Sequence, residues 1–549
     1  MLAFESGLPR FPRPANEPVR EFEPGSAGRS ALKRAIADLE SAQRENFSIV
    51  DGNQVREFES AEADIAPHNH KKQISISHKV GRGEVQRAID IASRARFDWS
   101  RTAWSERAAI FLKAADLLAT KYRDPLNAAT MLNQSKTAHQ AEIDAAAELI
   151  DFWRFNVAFA SQLYGDQPLA EPAAGTWNRT DYRPLEGFIY AVTPFNFTSI
   201  AGNLPTAPAL MGNTVLWKPA TTARLSASII MAILQEAGLP DGVINMVFSD
   251  PVETAQLALS DSRLAGVHFT GSTTVFNSLV ETVGRNIGSY RNYPRLVGET
   301  GGKNFVIVHK SADLRSVVTA IVRGGFEYQG QKCSAPSRVF LPRSLSKDFY
   351  ELTAAEMKNI SVGDVSDFRN FMGAVIDERA FLKHQKALDR AHDDPTVKII
   401  SGGRTKGEHG YFVDPTLLAV SDMSSEHMRD EYFGPIVASF VYDDDQYEAL
   451  IQKINDTSSY GLTGAVFARD RIAIMQALNG LRDSAGNFYI NDKPTGAIVG
   501  QQPFGGARAS GTNDKAGSIW NLIRWTSPRT IKESFRAQHD FHYAFMQER

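Results

Sequence analysis

Residues 187–218 have the sequence GFIYAVTPFNFTSIAGNLPTAPALMGNTVLWK, which begins the alternation of strands and helices that determines the fold. The stretch opens and closes with short apolar runs typical of buried strands, and Pro194 ends the first of them. Similar runs recur further along, after a predicted helix that stops at Gly238. We predict strands at 188–193, 213–218, 243–248 and 265–271, and the helix at 225–237. Strands alternating with helices of this length form βαβ units, so the sequence predicts an α/β fold with a parallel sheet covered on both faces.

The residues at the ends of these strands give the first indication of a ligand-binding site. Ligands of parallel sheets bind at the carboxyl ends of the strands, and that is where PFNF (194–197), KP (218–219) and TGS (270–272) fall. No Gly-x-Gly-x-x-Gly or Walker A sequence follows the strands, which excludes the usual dinucleotide and P-loop motifs. Gly271 and Ser272 could still present backbone N–H groups and a helix N-terminus to a phosphate, although many such turns begin with Gly-Ser.

The flanking regions have a different pattern. Residues before about 80 are polar and irregular and predict an extended surface arm, followed by a helix from about 30 to 44. Helical periodicity dominates 82–159 and is typical of core packing. Glycines and prolines in 164–183 predict an extended excursion between two domains.

Length and charge limit the class of protein. A chain of 549 residues is long for one hydrophobic core and predicts two or three domains. A net charge of −3 gives no reason to expect nucleic acid or an anionic membrane as partner, and no apolar run approaches the roughly 18 residues that span a bilayer. The start of the chain lacks the apolar segment of a secretory signal, so we expect a soluble intracellular protein.

Cys333 is the single cysteine of the chain, which excludes an intramolecular disulfide and is too few for a structural zinc site. It is therefore either an inert core thiol or a nucleophile. It follows Gly330-Gln-Lys, a turn-like segment in which a thiolate could be exposed and stabilised by backbone N–H groups.

Glu299 lies among glycines in LVGETGGKN (296–304) and is either a surface glutamate on a turn or a general base. A thiolate nucleophile with a separate carboxylate base suits covalent catalysis through a thioester that water hydrolyses. The oxyanion of that reaction needs donors, which the Asn196 side chain and the Cys333 backbone N–H could supply. An asparagine in this setting is otherwise a turn residue.

An ordered set of motifs resembles the aldehyde dehydrogenase superfamily over roughly residues 80–530. The motifs are PFNF (194–197), KP (218–219), FTGS (269–272), GETGGKN (298–304), GQKC (330–333), EYFGP (431–435) and PFGG (503–506). The resemblance implies a Rossmann-like parallel-sheet cofactor domain, an α/β catalytic domain and a small β oligomerisation flap. It implies an N-terminal arm with the helical part of the cofactor domain at 1–163, the flap at 164–186, the NAD-binding domain at 187–298, the catalytic domain at 299–512 and a C-terminal oligomerisation segment at 513–549.

The resemblance also implies the roles of single residues. Cys333 attacks an aldehyde, Asn196 and the Cys333 amide hold the oxyanion, hydride passes to NAD, and Glu299 activates the water that releases the acid. The implied cofactor-binding residues are Thr193, Lys218, Gly271, Ser272, Glu431 and Phe433, and no metal is implied. Many relatives carry a glutamate at the position of Thr221, where it bonds the adenosine ribose. NADP could therefore be tolerated, but we favour NAD because the nearest arginine is Arg224.

More narrowly, FEYQGQKCSA (326–335) and GQQPFGGARASGTNDK (500–515) resemble the branch that oxidises L-glutamate γ-semialdehyde to L-glutamate in proline catabolism. The implied substrate-binding residues are Ser334, Gly496, Ala497 and Phe504. Relatives can carry a serine where Ala497 stands, so one hydroxyl contact would be missing here.

Three alternatives stay open: a dehydrogenase of another semialdehyde, a reductase of an acyl phosphate, and a non-catalytic protein on the same fold. The resemblance implies a homodimer or an assembly of dimers, and it admits proline dehydrogenase as a transient partner. We expect a location in the bacterial cytoplasm, or in the mitochondrial matrix if the source is eukaryotic.

Overall fold

Two large sheets organise the protein, which the computed structural model describes from residue 9 to residue 547. The start of the chain, on which the expectation about a secretory signal rested, lies mostly outside these residues. In the first sheet five neighbouring strands run parallel, and each of the two remaining strands at one edge runs antiparallel to its neighbour. Its strands are, in spatial order, Arg295–Glu299, Leu264–Thr270, Phe188–Val192, Thr214–Lys218, Ile244–Met246, Ile49–Val50 and Asn53–Gln54. The four strands predicted from the sequence are confirmed as neighbours in this sheet.

Burial of both faces explains why these strands are continuous apolar runs. Phe188 and Tyr190 pack into one hydrophobic core, whereas Ile189 and Ala191 pack into another. Successive side chains of a strand point to opposite faces, so helices cover the sheet on both sides. The predicted α/β class is confirmed.

The second sheet, formed by residues from the later half of the chain, has the same layered arrangement. Phe305 and Ile307 pack on one face, and Val306 and Val308 on the other. Its strands run parallel except for the first at one edge. They are, in spatial order, Val397–Ser401, Thr416–Val420, Ile436–Tyr442, Pro336–Pro342, Asn304–Val308, Thr463–Phe467 and Asn487–Ile490.

Helices surround both sheets, and several carry clear end signals. Gly238, with φ of +99°, ends the helix that begins at Arg224, as the sequence predicts. The α-helices are, in chain order, Ala27–Ser41, Arg82–Trp99, Trp104–Ala119, Arg123–Gln134, Ala138–Ala141, Leu149–Gly165, Thr198–Leu210, Arg224–Ala237, Pro251–Ser260, Thr273–Arg285, Leu314–Phe326, Arg343–Met357, Glu378–Asp393, Glu426–Arg429, Tyr447–Thr457, Arg471–Gly480 and Ile519–Ile523. A π-helical segment, Glu142–Glu148, joins the fifth of these helices to the sixth.

The first 80 residues are more ordered than the sequence predicts. Strands Ser60–Ala66 and Asn69–Lys79 form an antiparallel hairpin, which Glu45–Asn46 joins. Hydrophobic alternation did not reveal the hairpin because its inner face is polar. Ser75 and Ser77 are buried, and each donates a hydrogen bond of 2.6 Å to the Asp64 carboxylate. The prediction of an irregular arm is wrong for this part of the chain.

A long two-stranded ribbon extends from the first domain. Thr176–Pro184 pairs antiparallel with Thr526–Ser534 along its whole length, so the predicted excursion and the C-terminal segment do meet. Its role in oligomerisation stays a prediction. Two further small ribbons pair Thr405–Lys406 with Phe412–Val413, and Tyr460–Gly461 with Ala507–Arg508. Within residues 9–547, no helix combines the length and the apolar character needed to cross a membrane.

Candidate active site

The loop before Cys333 has an unusual backbone that the surrounding structure holds in place. Tyr328, Gln329 and Gly330 have φ values of 52°, 56° and 65°, three left-handed residues in a row. Such residues persist where their surroundings over-determine them. The Gln329 side chain supplies this restraint, because it donates to the carbonyls of Ser135 (3.0 Å) and Ala374 (2.6 Å). The loop is therefore a fixed platform for the thiol.

Cys333 itself is only 9% exposed, so the expectation of an exposed thiol is wrong. Burial raises the pKa of the Cys333 thiol strongly, and the charges of Glu299 and Glu431 raise it further. These effects favour the neutral thiol, because a thiolate here would be desolvated and would face two carboxylates. A nucleophilic Cys333 therefore needs a proton acceptor during the reaction.

Glu299 ends the strand Arg295–Glu299 and has the properties of such an acceptor. Burial raises its pKa well above the ordinary carboxyl value, while the Lys515 charge opposes the rise. Its Oε2 atom is buried and has no hydrogen-bond partner among the described residues. A carboxylate that is desolvated and unpaired is a strong base once ionised.

Two glycines bring the elements of the site into contact. A side chain on Gly301 would place Cβ only 2.0 Å from Glu431 Oε2, and one on Gly302 would lie 2.5 Å from the Cys333 carbonyl. The Gly302 N–H donates to Glu431 Oε1 at 2.7 Å, and Asn304 Nδ2 donates to the Cys333 carbonyl at 2.6 Å. The glycines permit this close packing.

Asn196 also lies at the site. It follows the strand Phe188–Val192 and is buried, and its Nδ2 donates to the Gln331 carbonyl at 3.0 Å, two residues before Cys333. A side-chain amide has two N–H donors, so the amide is not saturated by this one hydrogen bond.

A buried ion pair that the sequence analysis missed supports both of these segments. Asp144 accepts hydrogen bonds of 2.9 Å from the backbone N–H groups of Thr198 and Ser199, at the start of the helix that follows Asn196. It also pairs with Lys136 at 2.6 Å, with both side chains almost completely buried.

The Lys136 ammonium lies 4.3 Å from the ring centre of Phe197 and 4.5 Å from that of Tyr328. It therefore connects the Asn196 segment to the loop that carries Cys333. In the sequence, this ion pair could have been indicated only by a lysine and an aspartate inside an otherwise buried helical region.

The expected cofactor residues line the strand ends. Thr193 Oγ1 accepts a hydrogen bond of 3.0 Å from Trp217 Nε1. Lys218 is buried, and its Nζ donates only to the neighbouring Pro219 carbonyl, at 3.2 Å. Burial lowers the pKa of Lys218 to about 8, and the nearby Arg224 charge contributes. An amine buried with so few partners fits a site for a polar ligand.

The Gly271–Ser272 turn is partly committed to the protein. The Gly271 N–H donates to the Glu299 carbonyl at 3.1 Å, so it is not free for a phosphate. Ser272 caps the helix Thr273–Arg285, with its Oγ accepting from the Val275 N–H at 3.3 Å. The remaining N–H groups of this helix start are the donors available there.

Glu431 and Phe433 reach the same region from the second domain. Burial raises the pKa of Glu431 to about 7. Phe433 has a φ of 59°, and its ring packs edge-on against that of Phe195, with centroids 6.0 Å apart. Phe195 adjoins Asn196, so Phe433 lies beside the strand end that carries Asn196.

The expected substrate residues form two groups. Ser334 is buried, and its Oγ lies 2.7 Å from Thr495 Oγ1, which joins the cysteine loop to the loop with Gly496 and Ala497. Phe504 has no such link to Ser334. Its backbone pairs with Ala516, and a side chain on the next residue, Gly505, would lie 2.8 Å from Glu299 Oε1.

A buried thiol, a desolvated carboxylate and an asparagine amide thus belong to one site, and this set of groups suits covalent catalysis through a thioester. The Aldehyde dehydrogenase family model matches residues 55–531. The chain therefore belongs to the aldehyde dehydrogenase family, and the resemblance read from its motifs is confirmed.

Two similar proteins carry the same enzyme name. A mouse protein named "Delta-1-pyrroline-5-carboxylate dehydrogenase, mitochondrial" is 46% identical over 97% of this chain and 94% of its own length. The crystal structure of the Delta-pyrroline-5-carboxylate dehydrogenase of Mycobacterium tuberculosis, bound with NAD, has a TM-score of 0.95 and 50% identity, covering 99% of this chain and 100% of that one. Proline utilization A (PutA) of Bdellovibrio bacteriovorus has a TM-score of 0.90 and 27% identity, and the match covers 96% of this chain but 54% of PutA.

Proposed function

We propose that this enzyme oxidises L-glutamate γ-semialdehyde, which is in equilibrium with Δ1-pyrroline-5-carboxylate, to L-glutamate, with NAD as the electron acceptor. The reaction belongs to proline catabolism. The meeting of Cys333, Glu299 and Asn196, in a chain similar over nearly its full length to enzymes of that name, carries the proposal.

The residues present fit NAD. Lys218, buried beside a cavity with a single neighbouring carbonyl as partner, would bind the adenosine ribose together with Thr221. Thr193 and the start of the helix Thr273–Arg285 would hold the phosphates, and Glu431 and Phe433 the nicotinamide end. When bound, NAD supplies the hydride acceptor.

Cys333 performs the first half of the reaction. Its Sγ bonds to the aldehyde carbon, and its proton passes to Glu299, the nearby carboxylate with an oxygen free of protein partners. The carbonyl oxygen becomes an oxyanion, which the free N–H of Asn196 and the Cys333 backbone N–H stabilise. Loss of hydride from the same carbon converts the adduct to a thioester.

Glu299 performs the second half. After the proton taken from Cys333 has passed to solvent, Glu299 is again a carboxylate, and it takes a proton from a water molecule, which attacks the thioester carbon. The C–S bond breaks, the sulfur leaves, and the new carboxylic acid is released. A raised pKa suits this role, because a more basic carboxylate abstracts the proton more readily.

Substrate choice is proposed to depend on the loop joined to Ser334. The Ser334 hydroxyl and the backbone N–H groups of Gly496 and Ala497 would bind the α-carboxylate end, and Phe504 would pack against the aliphatic part. Gly496 has a φ of +92°, a conformation that favours glycine.

A homodimer, or an assembly of dimers, is proposed to form through the ribbon of Thr176–Pro184 and Thr526–Ser534. Large apolar side chains next to the ribbon are exposed, among them Leu169, Trp177 and Phe535, and such surface is normally covered by a partner. The likeness to PutA supports proline dehydrogenase as a transient partner. The proposed location is the bacterial cytoplasm, or the mitochondrial matrix in a eukaryote, in keeping with the name of the mouse relative.

The test is NAD reduction with L-glutamate γ-semialdehyde, comparing the wild type with Cys333→Ala and Cys333→Ser. We expect turnover by the wild type only, while both variants retain calorimetric NAD binding. Succinic semialdehyde, tested beside it, should be a poor substrate because it lacks the α-amino acid group that the Ser334 loop would bind. Equal turnover of the two semialdehydes would favour the broader dehydrogenase, and a wild-type rate no higher than that of Cys333→Ala would refute the proposal.

A further inference from the structure

The surroundings of Thr221 contain an acid–base cluster that the catalytic mechanism does not use. Thr221 and Arg224 line both a cavity of about 460 Å³ and a smaller one beside Lys218. Glu62, from the N-terminal hairpin, lines the larger cavity, and Lys79 lines the smaller one. The hairpin that the sequence analysis missed therefore forms a wall of the proposed adenosine site.

Glu62 bridges the two cations of this wall. Its Oε1 lies 2.9 Å from Lys79 Nζ, and its Oε2 lies 3.0 Å from an Arg224 Nη atom. Burial opposes ionisation of Glu62, but the hydrogen bonds from Lys79 and Arg224 outweigh it, so the pKa of Glu62 is lowered. Glu62 is therefore a carboxylate at neutral pH.

Arg224 is also held from its other side. Asp64 Oδ1 lies 3.2 Å from the same Arg224 Nη atom, and Asp64 is itself fixed by Ser75 and Ser77. The guanidinium is only 6% exposed and is turned toward two carboxylates. Its Nε and one Nη are thus engaged before any ligand arrives, which makes Arg224 a poorer partner for a phosphate.

We infer that Glu62 makes this enzyme prefer NAD to NADP, in place of the acid that Thr221 does not provide. The inference rests on the proposed position of the adenosine ribose beside Lys218. A 2′-phosphate there would approach Lys79 and Arg224, the cations that could attract it. Glu62 pairs with both, and together with Asp64 it balances their two charges, so the phosphate would meet no net attraction from this wall and would lie near the Glu62 carboxylate.

The experiment measures the Kd of NAD and of NADP by calorimetry for the wild type, Glu62→Gln and Glu45→Gln. Glu45 is a matched control, since it belongs to the same three-stranded sheet and pairs with His78 but does not line the cavities. We expect Glu62→Gln to lower the ratio of the NADP Kd to the NAD Kd about tenfold, the effect of one partly screened charge. The ratio should stay at the wild-type value in Glu45→Gln.

A second variant separates charge from local disorder. Adding Lys79→Met to Glu62→Gln removes a freed cation and should reverse part of the gain in NADP affinity. An unchanged ratio in Glu62→Gln, an equal change in Glu45→Gln, or a wild type that binds both cofactors equally would overturn the inference. These outcomes are independent of semialdehyde turnover, so loss of the proposed function and failure of this inference give different results.

Discussion

The variant Asp144→Asn tests whether Asp144 positions the active site in addition to stabilising the fold. Asp144 holds the backbone N–H groups of Thr198 and Ser199 and pairs with Lys136. Removing one charge of a buried pair costs about 3–5 kcal/mol, and an amide oxygen can replace only one arm of the carboxylate. The helix start behind Asn196 would then shift. A displaced oxyanion donor should lower kcat about tenfold to hundredfold.

The control for this prediction lies in the same π-helical segment. Glu142 is a buried carboxylate that accepts hydrogen bonds from Arg123 (Nε–Oε1 3.1 Å), Asn127 (2.7 Å) and the Arg20 backbone N–H (2.9 Å), and within residues 9–547 none of its hydrogen-bond partners belongs to the active-site loops. Glu142→Gln should lower the unfolding temperature about as much as Asp144→Asn but leave kcat near the wild-type value. Steady-state kinetics and thermal unfolding measure both quantities. If the two variants lose kcat to the same extent, the positioning argument is refuted.

Two further predictions concern the reaction itself. The hydrolysis of the thioester should slow as the pH falls through the raised pKa of Glu299, because the base must be ionised. Quenched-flow mass spectrometry of the acyl-enzyme would measure the rate of hydrolysis. A rate independent of pH across the neutral range would contradict this prediction. Ala497→Ser should lower the KM for L-glutamate γ-semialdehyde a few-fold through one added hydroxyl contact, worth about 1 kcal/mol, with little change in kcat; an unchanged or higher KM would place the substrate carboxylate elsewhere.

The sequence predicted well the parts of the molecule that local pattern determines. Buried strands such as Phe188–Val192 are continuous apolar runs between turn residues, so their position and parallel arrangement could be inferred. Glycines 301 and 302 mark a point of close backbone approach, and their neighbours leave no room for a Cβ atom. In both cases, a continuous apolar run and two consecutive glycines, the residue types are compatible with few other structures.

The parts that could not be predicted depend on contacts between distant residues. The hairpin of Ser60–Ala66 and Asn69–Lys79 buries serines against Asp64, so its inner face lacks the apolar alternation that predicts a strand. The burial of Cys333 likewise follows from the elements packed around its loop rather than from its polar neighbours in sequence. Lys136 and Asp144 read as ordinary helix residues until the fold places them beside the catalytic loop.

In the proposed mechanism Cys333 carries a thioester that Glu299 helps water to hydrolyse. Glu299→Gln, mixed with L-glutamate γ-semialdehyde and NAD, should release about one equivalent of NADH per active site and then stall. Intact-mass analysis and peptide mapping should find a single acyl adduct on Cys333. Continued turnover at the wild-type rate, or NADH formation with no adduct on Cys333, would contradict the account.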